Sequence, residues 1–170
     1  MQTLYFPKTS ELRRTETELE KKLNVKITIK GKKVTISSSN ELDEYEASII
    51  LEAINFGFSI QKALLIKEQE MLFRIINIKD FTRKKNLREV RARIIGRQGK
   101  TRKTIERILN CHIVIKNNEI GIICETESIE ELITAITNLI RGTKQSNTYR
   151  YLEGTRTRQK YNKALYHKIK

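Results

Sequence analysis

The order of apolar and polar positions divides the chain into short alternating runs and longer helical ones. VKITI and KVTI alternate with a period of two, as half-buried strands do, and HIVI and EIGII repeat the pattern further on. Gly31-Lys32 and Asn117-Asn118 separate the members of each pair, and both suit a tight turn. From 129 to 140, residues Ile129, Leu132, Ile133, Ile136, Leu139 and Ile140 fall at helical spacing, so a long amphipathic helix is expected there. FSIQKALLIKEQE, 58–70, places Ile60, Ala63, Leu64 and Ile66 on one face of a further helix.

The runs recur. LNVKITIKGKKVTI (23–36) returns as LNCHIVIKNNEIGI (109–122), with Leu23, Ile27, Ile29, Lys30 and Ile36 matching Leu109, Ile113, Ile115, Lys116 and Ile122. Leu19 and Glu20 match Ile105 and Glu106, and YEASIILEAINFG resembles EELITAITNLIRG. Such self-similarity predicts two domains of one architecture. Each copy reads as an opening strand (TLYF or LFRIINI), a short helix, a loop, a second helix, two strands and a closing helix. The order β-α-α-β-β-α predicts an α+β fold, a three-stranded antiparallel sheet with helices packed on one face. The expected division is 1–57, a rigid connecting helix 58–70, 71–142, and a basic extension 143–170.

Charge changes the picture. Residues 1–70 hold eleven basic and eleven acidic side chains, whereas residues 71–170 hold 23 and 9, so the whole excess of +14 lies in the second part. Solubility alone does not require such a split; an anion-binding surface confined to one region does. Two separated cysteines, Cys111 and Cys124, give no disulfide framework and fit a reducing cytoplasm. No stretch approaches eighteen apolar residues, so no membrane span is expected.

Within the basic part, IIGRQGKT (94–101) can grip a phosphate. A nucleotide-binding P-loop would need a glycine five positions before Gly99, where Ile94 stands. A plain helical corner capped by glycine is the bland account. The position of the loop between the two short helices of the repeat is instead similar to a KH domain, whose GXXG loop clamps the backbone of about four single-stranded nucleotides. Gly96 and Gly99 let a sugar-phosphate approach the main chain, and the next helix offers its N-terminus. Arg97, Gln98, Lys100, Arg102 and Lys103 surround the clamp, with Arg88, Arg91, Arg93 and Arg107 nearby. Ile94 and Ile95 are candidates for the apolar groove floor, and Ile113 and Ile115 for its strand side, unless these alternate strand positions face the helices as pure core. In the first copy these four loop positions are Ser10, Glu11, Leu12 and Arg13, so that copy is read as a degenerate KH-like domain lacking GXXG.

ARIIGRQGKTRKTIERILNCHIVI followed by NLIRGTKQSNTYRYLEGTR resembles the archaeal KH-domain ribosome assembly factors of the small subunit, whose eukaryotic relative is the partner of Nob. The resemblance spans 71–158 and departs from the commonest KH modules at Arg102, where an aliphatic residue is usual. It implies tandem type I KH domains and a non-catalytic, cytoplasmic protein of the pre-small ribosomal subunit. It implies binding to single-stranded RNA near the 3′ end of the small-subunit (16S) rRNA. The implied partners are a PIN-domain rRNA endonuclease and the α subunit of initiation factor two; the residues themselves call for no cofactor and no metal. The RNA-binding set it carries over is Gly96, Arg97, Gln98 and Gly99, with Lys100, Arg102 and Lys103 on the helix behind; Arg93, Ile95 and Ile113 join the candidates from the reading of the residues themselves.

The remaining residues leave alternatives. The tail interleaves Tyr149, Tyr151, Tyr161 and Tyr166 with cations and holds one acid, Glu153, so it reads as an RNA contact or a solvated extension, with Tyr149 packed on the preceding helix. Arg83, Lys84 and Lys85 extend the RNA path or form a solvated loop. His112 is expected at a strand surface, and Glu106 in an ion pair with Arg102 or Arg107. No nucleophile–base or metal constellation is visible, which argues against an enzyme. A protein-docking scaffold and a general RNA-binding regulator are the rival readings.

Overall fold

A computed structural model describes residues 1–169, with side chains described through Tyr166. The chain forms two compact units, Met1–Glu68 and Gln69–Lys170.

The first unit runs β1 (Gln2–Tyr5), α1 (Ser10–Leu23), β2 (Lys26–Lys30), β3 (Lys33–Ser37), α2 (Glu41–Phe56) and α3 (Ile60–Glu68). Its sheet has the order β1-β3-β2, both pairings antiparallel, with Ile27 opposite Ile36 and Ile29 opposite Val34. Gly31, at φ 61°, makes the turn between β2 and β3. Leu12, Leu19 and Leu23 bury one stripe of α1, and Ile50, Leu51 and Ala53 bury the inner face of α2. The Asn40 side chain caps α2 by accepting from the Leu42 N–H at 3.1 Å, and Glu41, Asp43 and Glu44 complement the helix dipole in its first turn. The Asn24 amide donates to Asp43 at 2.8 Å and holds that carboxyl below its usual range, while Lys67 reaches both Asp43 and Glu46.

The second unit runs β4 (Met71–Asn77), α4 (Leu87–Ile95), α5 (Lys100–Leu109), β5 (His112–Lys116), β6 (Glu119–Glu125), α6 (Ile129–Arg141) and α7 (Gln145–Ile169). Its sheet repeats the order, β4-β6-β5, again antiparallel throughout. The turn is made by Asn117 at φ 54°, a left-handed conformation that asparagine tolerates. Ile113, Ile120, Ile122 and Cys124 of the sheet pack against Val90 and Ile94 of α4, Ile105 and Leu109 of α5, and Leu132, Ile136 and Ile140 of α6.

The two units share sheet order and closing helix, but differ in one respect from the expected repeat. Two helices connect the first two strands of the second unit, and one helix connects those of the first. Only Phe6–Thr9 separate β1 from α1, too short for a helix, and Pro7 lies among them. Ser10–Arg13, in the register of the glycine loop, form the first turn of α1.

The C-terminal segment also differs from a solvated extension. It is one 25-residue helix whose first half belongs to the core: Leu152 is fully buried, Thr148 and Thr155 are nearly so, and Tyr149 packs on the same cluster. Among the described residues no helix is long and apolar enough to cross a membrane.

Candidate nucleic-acid interface

Helix α4 ends and α5 begins within four residues. Asn86 caps the start of α4 by accepting from the Glu89 N–H at 3.4 Å, and Gly96 stops it at φ 75°, ψ 170°, a region open in practice only to glycine. Gln98 (φ 53°) and Gly99 (φ 76°) then take left-handed conformations, and the chain enters α5.

The two glycines have different reasons. A Cβ on Gly96 would stand 2.1 Å from Thr101 Oγ1 and 2.7 Å from the Thr101 backbone nitrogen, so the loop is folded directly onto that buried threonine. A Cβ on Gly99 would meet only the end of Lys103, at 3.8 Å. Gly96 is therefore a steric requirement and Gly99 a conformational one.

Helix α5 breaks a local rule. Acids are favoured in the first turn of a helix, because its free N–H groups carry partial positive charge. Three acids occupy that turn in α2; α5 has none, no side chain caps it, and it bears Lys100, Arg102 and Lys103. Cations placed where the dipole is already positive raise the energy of the free protein, and an anion resting on the loop relieves it. Arg97, Gln98, Lys100, Lys103, Thr104 and Arg107 line one open depression here, of about 510 Å³. A larger one in the first unit, lined by Glu20, Asn24, Val25, Lys26, Ser37, Ser38 and Ser39, pairs one acid with one cation and lacks that field.

Arg97, Gln98, Lys100 and Lys103 are exposed, as is Ile95, at 36%. Arg93 is close by but engaged: it donates to the Leu139 carbonyl at 3.3 Å and pairs with Glu89 at 3.4 Å, tying α4 to α6. Arg102 leans over β5, with Nη1 3.5 Å from the Ile113 carbonyl and Nε 3.9 Å from Glu106. Its Nε is buried without a hydrogen-bond partner.

Ile113 requires a correction. It is 1% exposed, because its position on β5 points it into the helix-covered face with Ile122 opposite. Its side chain is core, and its carbonyl faces Arg102. Ile115, two residues on, is half-buried at the rim of the same cluster. Arg91 closes the far end of β5 by donating to the Asn117 carbonyl and to Asn118 Oδ1, at 3.2 and 2.8 Å. Arg83, Lys84 and Lys85 are exposed in the loop before α4.

Two residues with structural roles escape a sequence reading. Thr101, part of the GKT string, is the wall against which Gly96 packs. Glu106 does more than pair with Arg102: its Oε1 accepts the Ile113 N–H at 2.8 Å. The signal for the second was present in the repeat, where Glu20 and Glu106 correspond.

Comparison with known proteins agrees with this architecture. Residues 72–157 match the family model for the second KH domain of PNO1, a eukaryotic type KH-domain (KH-domain type I). The KH domain-containing protein MJ0443 of Methanocaldococcus jannaschii is 32% identical over 154 residues, covering 87% of this chain and 67% of its own. The RNA-binding protein PNO1 of Oryzias latipes is 30% identical over 134 residues; they cover 75% of this chain but 55% of that protein, so the chain spans little more than half of its length. A crystal structure of an a/eIF2alpha–aDim2p–rRNA complex from Pyrococcus horikoshii contains a chain 32% identical, with a TM-score of 0.81, covering 92% of this chain and 93% of that one. Matched in sequence and in fold over most of its length, this chain belongs to the PNO1/Dim2 family of KH-domain proteins.

Proposed function

We propose that this protein is a non-catalytic RNA-binding factor of small-subunit rRNA maturation. Its second unit, a KH domain over 71–142, grips single-stranded RNA near the 3′ end of the small-subunit rRNA. Gly96, Arg97, Gln98 and Gly99 form the clamp, Lys100, Arg102 and Lys103 neutralise the backbone, and Ile95 meets a base. The observation that carries this reading is the uncapped, acid-free first turn of α5, opening on a strained glycine loop among cations. The similarity to an RNA-binding PNO1 and to a chain solved with rRNA and a/eIF2alpha supports the same substrate and, as a partner, the α subunit of initiation factor two.

The first unit, 1–57 with its connecting helix 58–70, is a degenerate KH-like scaffold without a clamp. Holding the rRNA 3′ region extended presents its cleavage site to a PIN-domain endonuclease, which performs the final cut on the pre-small subunit in the cytoplasm.

Competition binding tests the substrate. A labelled RNA matching the organism's small-subunit rRNA 3′ end is challenged with the same sequence and with scrambled versions of equal length. Self-competition should be at least about tenfold more effective, the size of one or two base contacts. Equal competition would leave only a general RNA binder.

A further inference from the structure

Helix α7 begins beside the glycine loop and leads away from it. Gln145 Nε2 donates to the Arg93 carbonyl at 3.1 Å, so the first turn of α7 abuts the last turn of α4, three residues before Gly96. Thr148, Leu152 and Thr155 bury one face. Gln159 locks the end of that face, donating to the Glu127 carbonyl at 2.7 Å and accepting from Ser128 Oγ at 3.1 Å. The helix then continues for ten more residues, for a total length of about 37 Å.

An exposed flank of the helix beside that stripe carries Arg150, Tyr151, Arg158, Tyr161 and Leu165, the two tyrosines exposed by 40% and 65%. Two further cations are already engaged, Arg156 by Glu125 at 3.7 Å and Lys163 by Glu127 at 3.0 Å. The single acid of α7, Glu153, sits among seven cations from Lys144 to Lys168.

We propose that this face of α7 is a second RNA contact, one that takes the sugar-phosphate backbone of a double-stranded stem flanking the strand held by the loop. The inference rests on the clamp reading and extends it. A helix surface is convex, with no groove in which to splay a base and no sheet edge to read one. It matches a duplex instead, since A-form RNA is recognised by shape and by phosphate and 2′-hydroxyl contacts across a shallow groove. Arg150 and Arg158 stand two turns apart, about 12 Å along the axis, and can each take a phosphate. The hydroxyls of Tyr151, between them, and of Tyr161, one turn further on, offer hydrogen bonds to sugars or phosphates. Because α7 starts at the loop, a strand leaving the clamp meets this rail next.

Binding of three RNAs tests the proposal: a bare single-stranded target, and the same target with a hairpin stem on its 5′ or on its 3′ side. Wild type should bind one stem-flanked RNA about tenfold more tightly than the bare strand and with a steeper salt dependence. Arg150→Glu/Arg158→Glu, folded by circular dichroism, should lose that gain yet bind the bare strand as wild type does. A stem that gives no gain, or a gain that survives the charge reversal, overturns the proposal. Loss of a protein complex in place of the stem gain also overturns it, in favour of protein docking. The clamp reading fails separately, when Arg97→Asp/Gln98→Asp binds the bare strand normally.

Discussion

Glu106 Oε1 accepts the Ile113 N–H at 2.8 Å, and in the first unit Glu20 Oε1 accepts the Ile27 N–H at 2.7 Å. The two pairs occupy the same place in the repeat. β5 and β2 are edge strands, so these N–H groups point out of their sheets with no strand to receive them. A carboxylate from the preceding helix fills the vacancy, fixes helix against strand and blunts the edge against stray pairing. In the second unit it also holds Arg102 over the groove. Glu106→Ala should cost about 1–3 kcal/mol, the penalty for stranding a charge-assisted bond, whereas Glu106→Gln, which keeps an acceptor, should cost less than half of that. Urea unfolding of both variants measures the difference; equal losses would mean that packing, and not the hydrogen bond, matters.

The loop glycines should respond differently. Gly96→Ala drives a methyl into Thr101 and forces a backbone conformation that an L-residue avoids, so the midpoint of thermal unfolding should fall by several degrees, on a loss of about 2–4 kcal/mol. Gly99→Asn has room and a residue that accepts the left-handed region, so its loss should stay near 1 kcal/mol or less.

A stabilising change is also available. Gly154 lies inside α7, and a Cβ there meets nothing within 4 Å. Gly154→Ala should raise stability by about 0.5–1 kcal/mol, because the unfolded chain loses freedom and the helix loses no contact. Calorimetry reads this as a higher unfolding temperature; a lower one would mean that the α7 backbone bends at this position.

The sequence was most legible where periodicity and turn chemistry agree. The alternating runs around Gly31 and Asn117 became hairpins in register, and the stripe from Ile129 to Ile140 became the inner face of α6. GRQG stood out because two glycines break a helical pattern. Ile113 was ambiguous because alternation gives two faces without saying which is covered. The single helix of the first unit was hidden because Ser10–Arg13 align with the loop while nothing in them requires a turn. Helix α7 is hard to read from sequence because its buried stripe consists of two threonines and one leucine, with Gly154 among them, so its anchoring by Leu152, Tyr149 and Gln159 shows no apolar run.

The two cysteines should behave as core. Cys111 and Cys124 are buried free thiols, and the neighbouring Cys124 thiol together with burial pushes Cys111 well above the ordinary thiol range. A thiol that stays protonated is a poor nucleophile. Ellman's reagent at pH 8 should therefore leave both unreacted for as long as the protein stays folded, and titrate two on unfolding. Rapid reaction of the native protein would contradict the closed core.

The clamp itself is tested most directly by exchanging its charge. Arg97→Asp/Gln98→Asp alters two exposed loop side chains, touches no core residue, and places two carboxylates where the backbone phosphate should rest. Affinity for a short single-stranded RNA from the small-subunit rRNA 3′ end, measured by anisotropy with circular dichroism as the check on folding, should fall by at least about tenfold. Unchanged affinity in a folded variant would contradict the account, and would move the RNA site away from the turn between α4 and α5.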